Sequence, residues 1–65
     1  MSRQLIGMSY ARALAVAVDA RSISPELSHF IFSPSAGLWC AESGKNRARL
    51  RQAIKKGYVV EEIKS

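Results

Sequence analysis

Sixty-five residues make a single small domain spanning 1–65, a size at which only ~60% of the unfolded chain's surface is buried and the core is slim. With one cysteine, Cys40, and one histidine, His29, an intrachain disulfide is excluded and a Cys/His zinc site is short of ligands, so neither metal nor cofactor is expected. The formal net charge is +5, and its clustering favours polyanions or acidic surfaces as partners.

A lone free thiol fits a reducing compartment, and a cytoplasmic location is expected. The apolar run Ala13-Leu14-Ala15-Val16-Ala17-Val18, flanked by Arg12 and Asp19, is shorter than the roughly 7–15 residues of a signal-peptide core. The uncharged stretch Leu27 to Ala41 carries Pro34, Gly37 and His29 and does not read as a bilayer span, which needs ~20 mostly apolar residues. No membrane partner is expected. Small domains without staples gain from association, so a homo-oligomer is a further expectation.

The first segment, about Leu5 to Ala20, supports two readings. Ile6, Tyr10, Ala13, Leu14, Ala17 and Val18 have the spacing of an amphipathic helix, and the alanines at 11, 13, 15, 17 and 20 favour it. Yet Leu14, Val16 and Val18 alternate with small residues as a strand would. Helix is the preferred reading. Pro25 disfavours helical backbone at Ser24, so a helix should end before it.

His29-Phe30-Ile31-Phe32 and Leu38-Trp39-Cys40-Ala41 flank Pro34-Ser35-Ala36-Gly37, the pattern of a β-hairpin. With Ser33 facing Leu38, the expected pairs are Phe32–Trp39, Ile31–Cys40, Phe30–Ala41 and His29–Glu42. Phe30, Phe32 and Trp39 then share one face, and His29, Ile31, Cys40 and Glu42 the other.

A basic helix is expected over 43–57, capped by Ser43 or Asn46 and closed by Gly57. Lys55 and Lys56 lie in its last turn, where cations are favoured. Leu50, Ala53 and Ile54 form its docking stripe. Tyr58 to Ile63 makes a final strand. The fold class is α+β: a small antiparallel sheet, hairpin plus C-terminal strand, packed against helices on one face. The order is α-β-β-α-β, or β-β-β-α-β if the first segment is a strand.

No catalytic constellation emerges, and no enzyme is expected. His29 and Cys40 sit diagonally on one face in the expected register, without the geometry of a nucleophilic pair. Ser43-Gly44-Lys45 fails as a phosphate loop, because Trp39 and Asn46 stand where glycine and a hydroxyl residue are required. Glu61 and Glu62 are adjacent and would face opposite ways on a strand. Phe30, Phe32 and Trp39 could stack bases, although in a chain with five aromatic residues a core role is the stronger reading.

What remains is charge. Six of the ten basic residues fall between Lys45 and Lys56 with no acid among them. Lys45, Arg47, Arg49, Arg51, Gln52, Lys55 and Lys56 are the expected contact residues, arginine as a fork and lysine as a point charge on phosphate. The expectation is a small basic nucleic-acid-binding accessory or regulatory protein, with DNA or RNA as partner. The alternative is a non-enzymatic adaptor or inhibitor that docks on an acidic surface of a larger protein.

Overall fold

The computed structural model describes residues 7–64. Along the chain run helix α1 (Tyr10–Ile23), strands β1 (Ser28–Ser35) and β2 (Leu38–Gly44), helix α2 (Ala48–Lys55) and strand β3 (Val59–Ile63). The order is α-β-β-α-β, and the strand reading of the first segment is overturned. The part of that segment at Leu5 and Ile6 lies outside the described residues.

Helix wins over the strand-like alternation because of where the small residues fall. Ala13 and Ala17, one turn apart, are the buried positions of α1, and their short side chains let the helix lie close on the sheet. Val16, Val18 and Ile23 are exposed. Ser9 caps the start, its hydroxyl accepting from the Arg12 amide at 3.3 Å. The helix stops at Ile23, before the Ser24-Pro25 pair.

The sheet order is β2-β1-β3, with β1 antiparallel to both neighbours. The hairpin register differs from expectation by one residue. Phe32 pairs with Cys40, Ile31 with Ala41, Phe30 with Glu42 and His29 with Ser43. Ser35 pairs with Leu38, so the loop is Ala36-Gly37, with Gly37 at φ +78°. Ser33 and Pro34 together stand opposite Trp39 alone, which makes a bulge in β1. Proline, with no N–H to offer the ladder, is suited to that place. The Ser33 hydroxyl lies 2.8 Å from the carbonyl oxygens of both Ser35 and Leu38 and ties the turn together.

This bulge moves the β2 side chains from Trp39 to Glu42 to the opposite face from the one expected. Trp39 joins Ile31, Ala41 and Ile63 under α1, with Ala13 and Ala17 above them. Cys40 moves to the face of Phe30 and Phe32, its partner across the ladder. On that face Leu50 and Ala53 of α2 cover Phe30, with Phe32, Tyr58 and Val60 alongside. The two helices therefore lie on opposite faces of the sheet, not on one. Each face has its own small core, and the central strand feeds both. Phe30 and Ile31, neighbours in sequence, are fully buried on opposite sides, each worth ~1.5–3 kcal/mol of burial.

Strand β2 forms one edge. Its Trp39 amide and carbonyl exchange hydrogen bonds with Met8 at 2.8 and 2.9 Å, and the Tyr10 ring meets Trp39 edge-on at 5.1 Å. Among the described residues no helix is long and apolar enough to cross a membrane.

Candidate nucleic-acid interface

Helix α2 is shorter than the 43–57 expected from its charge. β2 continues through Ser43 and Gly44, and 45–47 form a turn. Lys45 and Arg47 therefore belong to that turn instead of the helix body. Arg47 takes the cap position at φ +62°, a left-handed conformation costing an L-residue about 1–2 kcal/mol. Its guanidinium is anchored to Glu62 of β3. The Asn46 side chain accepts from the Ala48 amide at 3.2 Å, so it does serve the helix start, whereas Ser43 does not. At the far end Gly57, at φ +86°, fills the expected C-terminal position.

The docking stripe is narrower than the sequence suggests. Leu50 is 3% exposed and Ala53 is buried, but Ile54 is 59% exposed. This orientation decides where the cations point. Arg49, Gln52 and Lys56 fall on the flank facing Phe30, Phe32 and Tyr58, and with them line a recess of about 160 Å³. Arg51 and Lys55 are exposed on the outer surface of the helix.

Two of the six cations are already engaged. Arg47 pairs with Glu62 at 2.5 Å and Arg49 with Glu42 at 3.2 Å, both at least partly in solvent. Pairs of this kind contribute ~0–1 kcal/mol, so their main effect is to hold the two guanidinium groups against the sheet. Lys45, Arg51, Lys55 and Lys56 form no ion pair among the described residues. The structure thus gathers Arg49, Gln52 and Lys56 at one recess, leaves Arg51 and Lys55 on the outer surface, and ties Arg47 to the opposite edge of the sheet.

The aromatic set also changes. Trp39 is on the α1 face and leaves it. Tyr58, which the sequence marked only as the start of a strand, enters it. Tyr58 and Phe32 are half-buried and stack with ring centroids 5.8 Å apart and planes 15° from parallel. Phe30, beneath α2, lies 5.9 Å from Phe32 at 39°. Tyr58 follows directly on the helix-ending Gly57, and that placement was the available signal that its ring would sit beside the helix.

On the other face a groove of about 370 Å³ runs between α1 and the β2 edge, with Val16, Ala20, His29 and Ala41 among its lining residues. His29 is 2% exposed. Its Nε2 is 2.7 Å from the Ser24 carbonyl, which only an N–H can satisfy, and its buried Nδ1 has no hydrogen-bond partner among the described residues. This contact ties the start of β1 to the end of α1. His29 and Cys40, expected to share a face, lie on opposite faces of the sheet. Burial first, and the Glu42 charge second, push the Cys40 thiol up from its ordinary value, the reverse of what activates a nucleophile.

The chain matches no protein-family model, no curated protein and no solved structure.

Proposed function

We propose that this chain is a small nucleic-acid-binding accessory or regulatory protein, with the exposed side of α2 and the turn before it as its contact surface. One observation carries the reading. Four cations, Lys45, Arg51, Lys55 and Lys56, are exposed on or beside a helix whose buried positions are taken up by packing, and none has a carboxylate partner among the described residues. A cluster of this kind concentrates positive potential where a phosphate backbone can neutralise it.

The test is fluorescence anisotropy of labelled oligonucleotides at about 50 mM salt, where phosphate contacts are strong. The double variant Lys55→Glu/Lys56→Glu should lose binding while its circular dichroism is unchanged. Arg47 and Arg49 are poor choices for charge reversal, because a carboxylate there would face Glu62 or Glu42 and perturb the fold. Absence of affinity in the wild-type chain at that salt concentration refutes the proposal.

A second reading, an adaptor or inhibitor on an acidic protein surface, draws on Ile54. An apolar side chain 59% exposed amid cations suits a protein pocket better than a phosphate backbone. Affinity capture separates the two. A stoichiometric partner retained after nuclease treatment favours the adaptor, and loss of every partner favours nucleic acid.

A further inference from the structure

Resting on the nucleic-acid reading above, we infer that the ligand is a single strand, with one base stacked on the Phe32–Tyr58 pair at the recess beside α2.

The argument starts from length. α2 has eight residues and extends about 12 Å at the helical rise. The central strand beneath it also has eight residues, but spans about 26 Å at the extended rise. One short helix therefore cannot roof this face of the sheet. It covers Phe30 fully, while Phe32, Tyr58 and Val60 stay partly open. A chain with so few aromatic residues would be expected to bury them all. Here only Phe30 is buried; Tyr10 and Trp39 meet on the α1 side, and on this face Phe32 and Tyr58 are left half-buried and stacked nearly parallel.

The chemistry around the rings is that of a nucleotide site. Lys56, Gln52 and Arg49 share the recess with Phe32 and Tyr58, so a π-face and phosphate donors lie within one small space. Arg49 gives one N–H to Glu42 and retains other donors of its guanidinium. Glu42, also in the recess, repels phosphate and accepts hydrogen bonds. It therefore sets the polarity of the site, with the backbone toward Gln52 and Lys56 and the base edge toward the carboxylate. A duplex keeps its base faces inside the stack and can offer this recess only phosphates. An unpaired base can offer a face, and stacking on aromatic side chains is how single strands are held without a sequence code.

The experiment compares three labelled probes of equal length against the full chain at low salt: a natural single strand, the same strand made abasic, and its duplex. The natural strand should bind about tenfold or more tightly than the abasic one, as one good base–aromatic stack gives. Tyr58→Leu should bring it down to the abasic level and leave the abasic and duplex affinities alone, while Tyr58→Phe should retain the preference. A single strand carrying 2-aminopurine gives a second readout on the wild-type protein, independent of whether a variant folds. Its emission should be quenched on binding, whereas that of Trp39, on the opposite face, should not change. Equal affinity for natural and abasic strands, or an unquenched probe, overturns the stacking site while the polyanion-binding reading stands. No affinity for any of the three overturns both.

Discussion

Leu50 and Ile54 give the sharpest test of how α2 sits. They are one helical turn apart, and the sequence assigns both to one docking stripe. In the structure Leu50 is 3% exposed and Ile54 is 59% exposed. Leu50→Ala should cost about 2–5 kcal/mol in lost burial and cavity formation over Phe30. That is a large share of the ~3–10 kcal/mol available to a domain of 65 residues at typical stability per residue. Ile54 has about two fifths of its surface covered, so its burial is worth about 0.6–1.2 kcal/mol if full burial is worth 1.5–3. Alanine's better helix propensity returns a few tenths of that, and Ile54→Ala should stay within about 1 kcal/mol of the parent chain. Urea unfolding followed by circular dichroism and by Trp39 emission measures both, and agreement of the two probes validates the two-state treatment. Equal costs, or a larger cost at Ile54, would mean that α2 is rotated and that Arg49 and Lys56 do not flank the recess.

Three further outcomes are expected. Ala17→Leu should destabilise by about 1–3 kcal/mol, since this 1% exposed position lies where α1 packs on Ile31 and extra methylenes must force the helix off the sheet; a thermal melt reads it, and an unchanged melting temperature contradicts the close packing. Cys40 should react with a thiol reagent far more slowly in the native chain than in urea, because burial and Glu42 hold the thiol protonated; equal rates would place it at the surface. The Tyr10 hydroxyl donates to Glu61 at 2.7 Å, and this bond, then burial, then the Glu61 charge raise its pKa above the ordinary value. Its contribution to stability is thus complete below the unfolded pKa of about 10 and is lost as pH rises through the folded value. An ultraviolet titration should show a late-ionising tyrosine that Tyr10→Phe removes.

Much of the architecture is legible from local signals: alanine-rich helix, hairpin, basic helix ended by Gly57, final strand. The misplaced side chains of β2 share a cause. A hairpin register depends on whether a bulge is present, and the Ser33-Pro34 bulge shifted β2 by one residue, which sends every side chain of the strand to the other face. That one step removed Trp39 from the aromatic cluster and separated Cys40 from His29. The placement of both helices on one face overlooked a signal that was present. Phe30, Ile31 and Phe32 run apolar without alternation, the mark of a strand covered on both sides. At the basic segment, charge concealed the end of β2, since Ser43 and Gly44 continue the ladder opposite His29 and Ser28. Which cations are engaged depended on Glu42 and Glu62, distant in sequence from one another, and only the folded sheet brings them to Arg49 and Arg47.

The salt dependence of single-strand binding tests the central claim most directly. If Lys45, Arg51, Lys55 and Lys56 each neutralise one phosphate, the logarithm of the association constant should fall against the logarithm of salt with a slope of about −2.8, from 0.7 per contact for single strands. Lys55→Glu/Lys56→Glu should remove binding, and single neutralisations should each flatten the slope by about 0.7. A slope near zero in the wild-type chain, or one unmoved by neutralising these lysines, would contradict a phosphate-binding role for α2.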